Sequence, residues 1–435
     1  MRKMKDSGIK WIGEIPEDWK LSRIKFLSRV LRGASPRPID NPVYFDPKGK
    51  FSWVRISDVT TSNHYLYNAG EKLSELGASK SVKIEPNNLF ISICATVGKP
   101  CISKINCCIH DGFVYFPNLE KTFTEYLYWI FFSGTCYQGL GNWGTQLNLN
   151  TNIIGNIHIA YPSENKRKII TNYINICCDR IDTLIKKEQQ VIEKLKAYRQ
   201  SVISEAVTRG LDPDAPMKDS GIPWIGKIPS HWNIAKLKYL ANIYGGATPS
   251  KDFSDYWNNG NIPWISAKDL KTNKIYTSSD YITHEGFESC SLSLIEANSL
   301  IICTRSGILK HTLPAVINKI PVTINQDLKS LTFNKNIIHT QFIQYLFLGR
   351  NSQLLILLRN SGATVESIDI DLLKNIFICI PPLEEQQQIS KYLDEICMAF
   401  DSIITKKQSL IAKLTEYKKS IIYEYVTGKK EVPAS

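Results

Sequence analysis

Apolar residues recur at alternating three- and four-residue steps in two separate stretches. One stretch carries Ile181, Leu184, Val191, Leu195, Tyr198 and Val202; the other carries Phe400, Ile403, Leu410, Leu414, Tyr417 and Ile421. Such spacing draws a narrow apolar seam along a helix and predicts a pair of long helices with coiled-coil packing. The seam slot between 184 and 191 holds Glu188, and its counterpart is Lys407. Opposite charges at matching slots suggest helices that pair inside one chain around a register-setting polar layer; the alternative is that both side chains snorkel off the seam. A helix over 163–208 has a length of roughly 65–70 Å at ~1.5 Å per residue.

The regions between these stretches carry a different pattern. Short apolar runs bounded by polar turns, "NLFISICATVG" at 88–98 and "NSLIICTRSG" at 298–307, predict strands. "FTEYLYWIFFSG" and "TQFIQYLFLGR" show helical spacing with inward aromatics. The fold class is therefore α+β, with mixed α/β heads.

The chain is also written twice. "MKDSGIKWIGEIPEDW" at 4–19 returns as "MKDSGIPWIGKIPSHW" at 217–232, identical at 12 of 16 positions, and 162–208 aligns without a gap to 381–427. Each half thus has a shared opening, a variable middle and a shared closing helix. The expected organisation is a globular domain over 1–160, a long helix over 161–210, a connector at 211–216, a second globular domain over 217–380, a second long helix over 381–430 and a tail at 431–435. The helices are expected to form an intramolecular antiparallel coiled coil with pseudo-twofold symmetry, holding the heads at opposite ends of a rod. Within the openings, Gly13 and Gly226 permit a tight turn and Pro16 and Pro229 stiffen it. The pairs Trp11/Trp19 and Trp224/Trp232 bury large area, sealing each domain to the rod or building a docking surface.

Charge narrows the partner. The formal net charge of +12, from 53 Lys and Arg against 41 Asp and Glu, favours a polyanionic partner such as nucleic acid over a charge excess that serves solubility alone. The 11 cysteines lack CxxC or zinc-type spacing and suit buried free thiols in a reducing cytosol. No apolar run near twenty residues marks a membrane span, and MRKMKDSG has no signal-peptide pattern. The expected location is cytoplasmic.

The doubled SGIxWIGxIPxxW, the stretch "GATPSKDFSDYWNNGNIPWISAKDL" from Gly246 to Leu270, and PLEEQQQI at the start of the final helix resemble the DNA specificity subunits of type I restriction-modification systems. The first half carries a weaker version of the middle motif, "GASPRPID" and then "FSWVRISDV". The resemblance spans nearly the whole chain. It implies two target-recognition domains, each reading half of a bipartite double-stranded DNA target, with the coiled coil setting the spacer. A helix of the predicted length matches about two turns of duplex at ~34–36 Å per turn. The resemblance also implies two methylase subunits docked on the repeated parts and endonuclease/translocase subunits joined through them. S-adenosylmethionine, ATP and Mg are then expected only in those partners, with no cofactor and no metal in this chain.

Motifs of catalysis are weak or missing in the sequence. "NPVY" at 41–44 departs at Val43 from the NPPY pattern of adenine methyltransferases, and no FxGxG precedes it. No GxxxxGK[ST] seats ATP, the step Pro213 to Asp214 has no following (D/E)xK, and the seven histidines are scattered. No catalytic residue is expected. For DNA contacts, Arg or Lys for guanine and phosphate and Asn or Gln for adenine are the expected side chains. The candidates are Arg32, Arg37, Lys50, Arg55, Asn142 and Gln146 in the first domain. In the second they are Lys251, Asn258, Asn259, Lys268, Lys271, Arg305, Lys310 and Gln326. Competing readings are the specificity portion of a self-contained methyltransferase or nuclease, which methyl transfer by the purified chain would reveal, and a coiled-coil scaffold, which salt-dependent DNA binding separates from the first.

Overall fold

The computed structural model describes residues 2–140, 149–360 and 365–433. The predicted helices are present as Glu164–Arg209 and Leu383–Val426, 46 and 44 residues long. By its contacts the chain forms two compact units, 1–189 with 408–435, and 190–407. Both divisions fall inside the long helices, so the connector after Arg209 lies within the second unit. Each unit therefore holds one head, the near part of the helix that follows it in sequence, and part of the other long helix.

Within the first unit the two helix segments run antiparallel, with Lys418 Nζ 2.7 Å from Asp182 Oδ2 and the Tyr173 and Tyr425 rings 4.9 Å apart. Within the second, Arg199 pairs with Asp401 and the Tyr198 and Phe400 rings lie 5.6 Å apart. Asp182 and Asp401 are repeat equivalents, as are Arg199 and Lys418, so each unit makes the same ion pair with the roles of the repeats exchanged.

Burial along the helices corrects the expected seam at every second position. Ile181, Leu195, Val202, Phe400, Leu414 and Ile421 are buried or half-buried, and Glu188 and Lys407 are half-buried between them. Leu184, Val191 and Tyr198 are instead 48%, 38% and 63% exposed, as are Ile403, Leu410 and Tyr417 at 42%, 39% and 58%. The covered slots are Ile185, Ile192 and Arg199 in the first helix and Ile404, Ile411 and Lys418 in the second. Adjacent apolar pairs such as 184/185 and 191/192 fit either a 3-4 or a 4-3 alternation, and a basic residue in one slot disguised the right one. Ile192→Ala is expected to cost about 2–4 kcal/mol, and Val191→Ala under about 1 kcal/mol, in denaturant unfolding of the chain. Equal costs would contradict this register.

The two heads share one topology. In the first, a five-stranded sheet runs in the order Leu31–Arg32, Phe113–Tyr115, Leu89–Ser92, Pro100–Ser103, Tyr65–Leu66; in the second the order is Ala241–Gly245, Leu328–Phe333, Leu300–Cys303, Ala315–Asn318, Lys274–Ile275. The pair at the last edge is parallel in both, and the others are antiparallel. A second sheet is built on Phe51–Val54 parallel to Cys107–Ile109, and on Ile262–Ile265 parallel to Thr323–Ile324. Even the turns repeat: Asn87 and Asn298 both take positive φ and both accept a lysine Nζ at 2.7 Å, from Lys104 and Lys319. The fully buried central strands, Leu89–Ser92 and Leu300–Cys303, pack against the aromatic faces of helices Lys121–Ser133 and Thr340–Gly349.

The repeated opening is a hairpin, Met4–Asp6 with Glu14–Pro16 and Met217–Asp219 with Lys227–Pro229, turned through Gly13 and Gly226 at φ 68° and 80°. Trp19 and Trp232 are buried, whereas Trp11 and Trp224 are half-buried. Trp19 sits in a core with Ile422, Tyr425 and Val426, and Trp232 in one with Ala206 and Val207. Each opening therefore caps the end of the long helix from the other repeat. All 11 cysteines are unpaired, and Cys94 alone is exposed. Among the described residues no helix is long and apolar enough to cross a membrane.

Candidate nucleic-acid interface

Both heads build a polar site from a Gly-Ala-hydroxyl-Pro turn laid against the turn between two strands. In the first, Ala34 N–H donates to Ile109 O at 3.1 Å; in the second, Ala247 N–H donates to Ile324 O at 3.1 Å. The approach requires glycine, because a Cβ on Gly33 would lie 2.1 Å from His110 O and one on Gly246 would lie 1.8 Å from Ile324 O. The hydroxyl then reaches the opposing turn. Ser35 Oγ donates to Asp111 Oδ1 at 3.0 Å, and Thr248 Oγ1 donates to Gln326 Oε1.

In the first head two of the predicted cations converge on Asp111. Arg37 Nη2 lies 3.0 Å from its Oδ2, and Arg32 Nε donates to its carbonyl. Burial pushes the Asp111 carboxyl up, but the Ser35 hydroxyl and the Arg37 and Arg32 guanidiniums outweigh it and hold the group below the usual carboxylate range. Tyr44, at the end of the NPVY turn, donates its hydroxyl to Arg37 O at 2.9 Å, and Asn41 Oδ1 accepts from Val43 N–H. NPVY is thus a brace for this loop. Neighbouring His110 packs against Trp53 and Phe113, and burial lowers its proton affinity.

A second pair is repeated beside the turn. Arg55 Nη2 is 2.6 Å from Glu71 Oε2, and Lys268 Nζ is 2.6 Å from Asp280 Oδ2. Glu71 and Asp280 occupy the same register position opposite Trp53 and Trp264. The helical turns after Trp53 and Trp264 open alike, with Asp58 accepting Arg55 N–H and Asp269 accepting Ser266 N–H. A groove of about 510 Å³ adjoins Arg55 and Glu71, and one of about 310 Å³ adjoins Lys268 and Lys271.

The remaining candidates distribute as follows. Lys251 is exposed in the turn that follows Thr248, and the Arg305 N–H donates to Asp327 O beside Gln326. Asn258 and Asn259 are exposed at the end of that turn; φ of 57° at Asn259 gives its residue type a backbone reason. Lys50 is exposed at the start of strand Phe51–Val54, at the far end from Arg55, and Lys310 is exposed in the turn Gly307–Lys310. Asn142 and Gln146 lie outside the described residues. Sequence reasoning missed Ser35, Asp111 and Thr248, and the acids Glu71 and Asp280. The signal available was the recurrence of Gly-Ala-[Ser/Thr]-Pro. Among the described residues no three His, Cys, Asp or Glu side chains are grouped to hold a metal.

The chain is similar to known proteins over nearly its whole length. The family model for the type I restriction modification DNA specificity domain matches twice, at 16–194 and 229–414. The specificity subunit of the type I restriction enzyme EcoR124I/EcoR124II from Escherichia coli is 37% identical over 192 residues, 43% of this chain and 47% of that protein, so the match spans about half of that relative. The putative type I restriction enzyme MjaX specificity subunit from Methanocaldococcus jannaschii is 24% identical over 96% of this chain and 95% of its own. Among solved structures, a chain from work on assembly and conformational transition of the type I R-M system superposes with a TM-score of 0.73 at 18% identity, covering 96% of this chain and 99% of that one. The HsdS subunit from Thermoanaerobacter tengcongensis gives 0.51 at 16% identity over 96% and 98%. These structural likenesses concern the fold.

Proposed function

Because this chain belongs to the type I restriction modification DNA specificity family, we propose that it is the non-catalytic subunit that addresses a methylase and endonuclease assembly to a two-part DNA target. The observation that carries the reading is the site built twice on one backbone frame with different side chains, Ser35 with Asp111 in one head and Thr248 with Gln326 in the other. An unchanged frame with exchanged side chains suits two sensors of different base sequence. The long helices supply the spacer, and the repeated openings with their helix ends supply equivalent surfaces for two methylase subunits, which in turn recruit the endonuclease subunits. S-adenosylmethionine, ATP and Mg belong to those partners, and the complex works in the cytosol on duplex DNA, drawn by a net charge of +12.

Mapping methylated bases in a host that carries this chain with its cognate methylase tests the reading. One split motif is expected, and exchanging residues 20–160 for the head of another family member is expected to change one half of it. A change in both halves together would overturn modular recognition.

A further inference from the structure

We infer that Arg37, braced by Asp111, reads a guanine in the half-site of the first head, and that Gln326, braced by Thr248, reads an adenine in the half-site of the second. The inference deepens the reading of these turns as the DNA interface and rests on it.

The backbone frame is common to both heads, so the difference in chemistry lies in a few side chains. Counting from the shared Gly-Ala-hydroxyl-Pro, Arg32 and Arg37 of the first head correspond to Gly245 and Ser250 of the second. Asp111 corresponds to Gln326 at the point where the hydroxyl bonds.

In the first head Asp111 is an acceptor clamped by the Ser35 hydroxyl, and it holds one nitrogen of Arg37 at 3.0 Å. The backbone of Arg37 is fixed separately by the Tyr44 hydroxyl at 2.9 Å. Its side chain nonetheless remains 75% exposed. A guanidinium tethered at one nitrogen keeps its plane while the rest of its fork offers a fixed pair of N–H donors. Guanine is the base whose major-groove edge presents two acceptors, O6 and N7, at the spacing of that fork.

The second head has no arginine at either equivalent position. There the exposed Gln326 accepts the Thr248 hydroxyl on Oε1, which fixes the amide orientation. What remains is an NH₂ donor and the second lone pair of Oε1 side by side. One donor beside one acceptor complements the adenine edge, N7 and N6–H₂, and no other base edge as well.

The test uses the chain assembled with its cognate methylase subunits and measures equilibrium binding to duplexes varied one base pair at a time, at two salt concentrations. Arg37→Ala is expected to erase a guanine preference at one position of one half-site, weakening the cognate duplex about 10- to 100-fold while duplexes already substituted there bind as before. Gln326→Glu loses the amide donor and is expected to move the preference at one position of the other half-site from adenine toward cytosine, whose N4–H₂ a carboxylate accepts. An equal loss on every duplex, with a salt slope shallower by about one unit, would make Arg37 a phosphate contact and overturn the base assignment while leaving the interface in place. If both variants melt like the parent chain and bind every duplex unchanged, the interface itself is misplaced.

Discussion

Trp232→Ala is expected to lower stability by about 3–5 kcal/mol, the range for emptying a fully buried indole. Trp232 is completely buried in the core of the second unit, with its ring edge-on to Phe342 at 6.2 Å. Its Nε1–H donates to Glu385 Oε2 at 3.1 Å, and His231 Nε2 lies 2.8 Å from the same oxygen. The repeat supplies its own control. Trp19 is equally enclosed, but its Nε1 has no acceptor among the described residues. The reason is a charge exchange between the copies: Lys166 stands where the second repeat has Glu385, and Asp18 where it has His231. Lys166 and Asp18 satisfy each other at 2.7 Å, and an ammonium has no lone pair to offer an indole. Phenylalanine substitutions should separate the two effects. Trp232→Phe leaves a carboxylate without one of its donors and is expected to cost more than Trp19→Phe, which removes an unpartnered buried donor, by about 1–2 kcal/mol. Thermal and denaturant unfolding of the two single variants checks this, and equal costs would show that the indole–carboxylate bond contributes nothing.

Gly246→Ala is expected to lose discrimination in the second half of the DNA target while the first half is read as before, and to destabilise the chain by about 1–3 kcal/mol, the range for overpacking. The added methyl would lie 1.8 Å from Ile324 O and 2.7 Å from Asn325 O, both backbone atoms that no rotamer change moves aside. Relief requires the turn to separate from its partner, which stretches the Ala247 N–H bond to Ile324 O and carries Thr248 away from Gln326. Gly307→Ala is the matched control. It lies in the same head, a Cβ there meets no atom within 4 Å, and a change within about 0.5 kcal/mol is expected. Binding to duplexes altered in one half-site at a time, beside melting curves, measures both quantities. If Gly246→Ala affected both half-sites equally, its turn would not belong to one head's reading surface.

The two results bear on separate roles of the repeat. The openings keep tryptophan in the same structural place while their polar partners diverge, so the shared phrase closes each unit onto a helix end. In the heads the reverse holds, since the frame is kept and the side chains at its tip are exchanged.

Much of this was accessible in one dimension because local periodicity and repetition are one-dimensional signals. The long helices, the buried strand at 89–92 and its partner at 300–303, and the two-fold writing of the chain all rest on residues within a few positions of each other or at a fixed offset. The face of each helix that turns inward was not fixed in this way. Where Leu184 adjoins Ile185 and Val191 adjoins Ile192, both alternations satisfy the pattern, and the choice of Ile192 over Val191 comes from the surfaces the helix meets in the fold. The two polar turns lay further beyond reach. Ser35 and Asp111 are 76 residues apart, and Thr248 and Gln326 are 78 apart. Asp111 and Gln326 carry no shared type or spacing to connect them, and only the crossing of strands from two sheets brings each to its hydroxyl. Spacing along a chain encodes which way a side chain leaves its own element; the meeting of distant elements is set by how their buried faces pack.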